Sequence, residues 1–119
     1  MSKMSTTRRT LAVTALTAAL AAPLAAAGQD AAQVKKGEEV YTAQKCSICH
    51  SIAGKGNKLN SLDGVGKKLT ADEIRQWITN PKVMTAKTKS TKKPPMLDKY
   101  GSLPKADLDA LVAYLQSLK

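Results

Sequence analysis

The chain has 119 residues, enough for one domain. Nineteen Lys and Arg stand against nine Asp and Glu, a net charge of +10. That balance raises a nucleic acid as partner, but no recognition motif accompanies it, so that class is set aside.

The first 27 residues read as an export leader. Lys3, Arg8 and Arg9 give a positive start, and an Ala-rich apolar run extends from Leu11 to Leu24. Ala25-Ala26-Ala27 before Gly28 is a small-residue cleavage site. The run is too short and its side chains too small for a strong bilayer anchor. Arg8-Arg9 by itself hints at a twin-arginine leader, but that reading is discounted. Cleavage near Ala27-Gly28 leaves one domain over residues 28–119 with no membrane span. Its charge is 16 cationic minus 9 acidic residues, or +7.

Residues 28–33 are small and polar and read as a frayed end. A helix is predicted from about Ala32 to Lys45, with Val34, Val40 and Tyr41 apolar and Gly37 in mid-run. A glycine there costs about 1 kcal/mol against Ala and calls for a reason.

Cys46-Ser47-Ile48-Cys49-His50 follows, the C-x-x-C-H pattern of covalent haem attachment. Two thiols three residues apart lie along one short turn and can each add to a vinyl group of one porphyrin. His50, next in line, can supply an axial nitrogen. A redox dithiol would want a βαβ context, and no strand-like runs surround the motif. A zinc site would want further Cys or His, and the chain holds two cysteines and one histidine. A Cys46–Cys49 disulfide without haem stays open as an alternative. Phe is absent, and the aromatics are Tyr41, Trp77, Tyr100 and Tyr114. A chain this short builds a core with difficulty. A buried porphyrin would supply the missing flat apolar mass.

Residues 51–66 carry Gly54, Gly56, Gly64 and Gly66 with Asn57, Asn60, Ser61 and Asp63, which is loop chemistry. Leu59, Leu62 and Val65 are spaced through this loop to line one face of the haem. Thr70-Ala71-Asp72-Glu73 is a capping box, and the helix it opens puts Ile74, Trp77 and Ile78 on one core-facing stripe. Asn80-Pro81 reads as its end. Residues 82–100 read as a second irregular segment. It is crowded with Lys82, Lys87, Lys89, Lys92, Lys93 and Lys99 and contains Pro94-Pro95-Met96. A last helix begins near Pro104, placed as a first-turn proline, with Leu108, Leu111, Val112, Leu115 and Leu118 as its stripe.

The motif, the glycine-bearing helix before it, the Pro-Met further on and the Leu/Tyr-rich last helix come in an order that resembles a small bacterial class I c-type cytochrome. The resemblance covers about residues 31–119. It implies an all-α cytochrome c fold, three to four short helices and long loops wrapped around one covalently bound haem c. Cys46 and Cys49 would hold the haem, and His50 and Met96 would be the axial ligands of its iron. Met96 stands at the family's distal position, while Met84 falls to a wall or core role. Gly37 would let the first helix cross the last at close range, although it precedes Cys46 by nine residues where eight is usual. The family often holds its histidine ring on a proline carbonyl. No proline lies between His50 and Trp77, so a backbone carbonyl near Asn60–Leu62 is expected instead.

His/Met ligation fills the iron and implies a non-enzymatic carrier of single electrons. The carrier would be a soluble monomer in the periplasm of a respiratory or dehydrogenase chain. Its partners would be redox proteins with acidic docking faces met by the lysines of residues 82–99. Alternatives are a haem-bearing subunit of a larger oxidoreductase, or a haem enzyme with an open distal site. The enzyme would want a distal His or Arg, and Arg75 is the one Arg outside the leader.

Overall fold

A computed structural model describes residues 30–119. The expected leader over residues 1–27 lies outside them. Asp30 caps the first helix, its carboxylate accepting from the Ala32 N–H at 3.0 Å. Helix α1 spans Ala31–Ala43 and buries Gly37, Val40 and Tyr41. Helix α5 spans Lys105–Ser117 and buries Leu108, Ala110, Leu111, Val112, Ala113 and Leu115. Pro104 occupies the cap position just before α5 and not its first turn.

These two helices form the main crossing, and Gly37 is its reason. A Cβ on Gly37 would stand 2.0 Å from the Ala110 carbonyl oxygen and 2.5 Å from Tyr114 Cβ. Absence of a side chain therefore lets the two backbones touch, at the helix-propensity cost noted above. One turn further on, the Tyr41 and Tyr114 rings meet edge to face at 5.8 Å. Lys36 and Asp107 close the other side at 3.2 Å.

Helix α3, Ala71–Thr79, lies against α5. Both bonds of its capping box form: the Thr70 N–H donates to Glu73 at 2.8 Å, and the Glu73 N–H donates to Thr70 Oγ1 at 3.2 Å. Ile74 and Ile78 are 2% and 3% exposed. They join Val40, Tyr41, Leu108, Leu111, Val112 and Leu115 in one core cluster. Full burial of each such aliphatic side chain stabilises by roughly 1.5–3 kcal/mol. Arg75 reaches across to Asp109 at 2.6 Å, fixing α3 to α5 at the rim.

Trp77 departs from the expected stripe. It is half-buried and outside the cluster. Ile74 and Ile78, four apart, face α5 directly, and Trp77 falls on the margin of that stripe.

Five α-helices occur among the described residues, against the three to four expected. The additions are the one-turn α2, Val65–Lys68, and α4, Pro81–Thr88, both in segments read as loops. The proline taken as the stop of α3 is the first residue of α4, where its missing N–H costs nothing. A small hairpin occupies part of the first loop. Strand β1, Ser51–Ile52, pairs antiparallel with β2, Lys55–Gly56, Ser51 facing Gly56. No helix among the described residues is long and apolar enough to cross a membrane.

Candidate functional site

The chain leaves α1 through Lys45, whose φ of 56° turns it sharply. A 3-10 turn over Cys46–Ile48 follows. The Cys46 carbonyl accepts from the Cys49 N–H at 3.1 Å and from the His50 N–H at 2.9 Å. One oxygen therefore gathers the three motif residues on one turn. Both cysteines are free thiols and half-buried, so no disulfide joins them. Burial pushes the Cys46 thiol up, with smaller opposing effects from its own backbone hydrogen bond and from Lys99. It stays a protonated thiol at neutral pH.

His50 is half-buried, and burial holds its imidazole below the ordinary value, partly opposed by its hydrogen bond. That bond joins Nδ1 to the Asn60 carbonyl oxygen at 3.1 Å. A carbonyl only accepts, so Nδ1 carries the proton and donates it. Nε2 is then the nitrogen with a free lone pair. The expectation of a carbonyl near Asn60–Leu62 resolves to Asn60.

The 3-10 turn Lys58–Asn60 presents this carbonyl. Behind it, the Leu62 N–H donates to the Ser51 carbonyl at 2.8 Å. The α2 turn is held to the end of the chain: the Gly66 N–H donates to the Leu118 carbonyl at 2.7 Å, and Gln116 Nε2 donates to the Gly66 carbonyl at 2.7 Å. Leu62 and Val65 pack half-buried against the core, as does Cys46. Leu59, expected beside them, is 77% exposed, because the turn that aims the Asn60 carbonyl inward sends its neighbour outward.

The two methionines differ in packing. Met84, on α4, is 4% exposed. Met96 is half-buried against the same cluster that receives Cys46. After it comes a 3-10 turn over Asp98–Ser102, and Asp98 pairs with Lys82 at 2.9 Å, joining the two ends of the segment that carries Met96. Tyr100 on this turn was not singled out from the sequence as a site residue. Burial raises its phenol first, and the nearby Cys46 and Cys49 add to the effect. The turn after Met96 therefore stands beside the cysteine turn. The signal available in the sequence was an aromatic four residues past Pro-Pro-Met in a chain with few aromatics. Tyr41 also faces this region. Its hydroxyl is buried without a hydrogen-bond partner, and burial, with lesser effects from Cys46 and Tyr114, pushes it up to about 12.

This donor set fits a covalently held haem. It offers two free thiols on one turn, a neutral imidazole with its second nitrogen spare, a half-buried thioether, and apolar side chains at Ile52, Leu62, Leu69 and Leu103 around the cysteine turn's own cluster. No group of three or more His, Cys, Asp or Glu gathers for a metal ion among the described residues.

No curated protein and no solved structure matches the chain. The family model described as Cytochrome c matches residues 34–119, from the first turn of α1 through α5 to the last residue. The chain thus belongs to the cytochrome c family, an all-α fold that carries covalently bound haem c and moves electrons through it.

Proposed function

We propose that the protein is a soluble, exported monohaem electron carrier, and that its mature form begins near Gly28 after the leader is removed. Cys46 and Cys49 would tether the haem through thioether bonds, and His50 Nε2 and Met96 Sδ would ligate its iron. The observation that carries this reading is the His50 ring, with Nδ1 held at 3.1 Å by the Asn60 carbonyl and Nε2 left as the only nitrogen able to ligate.

When bound, the haem supplies a one-electron couple between ferric and ferrous iron. The chain's residues set how that couple behaves. The Asn60 carbonyl fixes the tautomer and orientation of His50 and raises its basicity. Depression of the imidazole pKa by burial keeps the ring neutral at pH 7, the form that ligates. A methionine thioether as sixth ligand raises the potential and leaves no open position for oxygen or peroxide, which argues for a carrier and against an enzyme. Met96 fits that role better than Met84, whose side chain is already enclosed by protein.

Lys82, Lys87, Lys89, Lys92, Lys93 and Lys99 are all exposed around the Met96 segment. They form a positive field suited to an acidic redox partner, which would be met by a monomer. The test is optical and chemical. The chain produced with a haem-attachment system should stain for haem on a denaturing gel and give the six-coordinate low-spin spectrum in both oxidation states. His50→Ala should keep the covalent haem but turn the ferric spectrum high-spin, and added imidazole should restore it. A mass equal to the bare polypeptide, or an unchanged His50→Ala spectrum, would refute the reading.

A further inference from the structure

Asn57 lies outside the C-x-x-C-H motif, yet every hydrogen bond it makes touches the motif or the turn that serves it. Its backbone N–H lies 3.0 Å from both the Ser47 and the His50 carbonyl oxygens. Its Nδ2 donates to the Ile48 carbonyl at 3.2 Å. Its Oδ1 accepts from the Leu59 N–H at 3.1 Å, capping the turn Lys58–Asn60. Its own carbonyl accepts from the Asn60 N–H at 3.4 Å. One residue therefore binds three carbonyls of the cysteine turn on one side and two N–H groups of the carbonyl-presenting turn, those of Leu59 and Asn60, on the other.

With the His50–Asn60 bond these contacts make a closed circuit. It runs from the His50 ring to the Asn60 carbonyl, back through Asn57, and returns to the His50 carbonyl. Gly56 lets the circuit close. A Cβ there would stand 2.2 Å from the His50 carbonyl oxygen and 3.0 Å from that of Ser47, and its φ of +105° disfavours a side chain as well. The hairpin folds back onto the motif's backbone because nothing projects from Gly56.

We propose that Asn57 is a positioning residue for the axial histidine: it clamps the cysteine turn to the Lys58–Asn60 turn and so sets the strength of the bond from His50 Nδ1–H to the Asn60 carbonyl. Two clamps are separable, the side-chain donor on Ile48 and the side-chain cap on Leu59. A slack clamp lengthens the ring's hydrogen bond, and a less basic imidazole stabilises the ferric state less. The potential then rises. This inference rests on His50 as ligand, and the two fail differently: without that ligation His50→Ala leaves the spectrum unchanged, whereas without the clamp His50→Ala keeps its effect and Asn57 variants do nothing to the potential.

The experiment uses the haem-loaded protein and two neutral variants. Asn57→Ala removes both side-chain clamps. Asn57→Ser keeps a short acceptor for the Leu59 N–H and is too short to hold Ile48. Thr70→Ala is the control, a neutral loss of a helix cap outside the circuit. Two readouts are taken, the midpoint potential and the solvent exchange rate of the His50 Nδ1 proton by NMR. Asn57→Ala should shift the oxidised-to-reduced ratio about threefold toward the reduced form, roughly 28 mV upward at 59 mV per tenfold. It should also speed Nδ1 proton exchange. Asn57→Ser should move both in the same direction by less. Thr70→Ala should lower the melting temperature and move neither. Folded Asn57 variants with wild-type potential and wild-type exchange would overturn the proposal, as would the failure of both variants to retain haem, which would make Asn57 a residue of the fold and not of the ligand.

Discussion

The two sides of the candidate haem site are built in opposite ways. On the histidine side, residues 46–66 are tied at almost every turn: the Cys46 carbonyl takes two N–H groups, Asn57 binds both flanks, Leu62 joins Ser51, and α2 is locked to the chain's last residues. On the methionine side, residues 91–97 carry no backbone pair among the described residues, and Lys92 N–H to Ser90 Oγ at 3.4 Å is the one hydrogen bond there. Pro94 and Pro95 have no N–H to give. What limits that segment is proline stiffness and the exposed Lys82–Asp98 pair at its ends. In the proposed site, His50 would be held by the protein before iron arrives, and Met96 would be carried on a short, stiff, weakly tied strap whose order a bond to iron would complete.

The sharpest way to break this contrast is to exchange the fates of the two methionines. Met96→Ala should abolish the weak long-wavelength methionine-to-iron band of the oxidised protein, lower the potential, and let cyanide bind far faster, while the protein stays folded on its histidine side. Met84→Ala should keep the band and the potential but cost about 2–5 kcal/mol in denaturant unfolding, the usual range for emptying a buried methionine site. A lost band in Met84→Ala and a kept one in Met96→Ala would move the ligand to α4.

A smaller perturbation acts on the scaffold common to both sides. Gly37→Ala places a methyl on the Ala110 carbonyl, and the α1–α5 crossing must open to admit it. Overpacking of this kind costs roughly 1–3 kcal/mol, read as a lower denaturant midpoint. The contrast predicts an order of events. As denaturant rises, the methionine band should vanish before the histidine leaves the iron, and the gap between the two midpoints should persist in Gly37→Ala. Simultaneous loss of both would mean that the two sides are one cooperative unit.

Much of this was legible in the chain. The haem motif, the capping box at Thr70, the two long helices and the reason for Gly37 all depend on neighbours within a turn or on an absent side chain. The carbonyl that serves His50 was narrowed to three residues, because any backbone offers one and only the folded loop selects Asn60. Helix α4 was hidden because Asn80 alone separates it from α3, so Pro81 reads as a stop signal while it is the first residue of the next helix. The hairpin was hidden because its turn uses Ala53 at φ 51°, a place few alanines adopt, where Asn or Gly would have announced it. Asn57 was read only as loop composition, since its role exists only once residues 55–60 have folded back on the motif.

The smallest expected effect tests whether the loosely tied side is also the side that meets partners. Lys92 and Lys93 are exposed, lie in the methionine segment and form no ion pair among the described residues. Lys67 and Lys68, exposed on α2 and likewise unpaired, sit on the histidine side. Changing either pair to Glu alters the net charge equally, so long-range attraction alone would slow electron exchange with an anionic redox partner by the same factor. A docking face at the methionine side would not treat them equally. Lys92→Glu with Lys93→Glu should lower the second-order rate on the order of tenfold at low salt, with the spectrum unchanged, and the α2 pair should lower it much less. The Debye length shrinks from about 30 Å at 0.01 M to about 8 Å at physiological ionic strength, so the difference between the two variants should narrow as salt is added. Equal losses from both pairs would reduce the lysines to a general positive charge, and a rate indifferent to salt would remove electrostatic steering from the account.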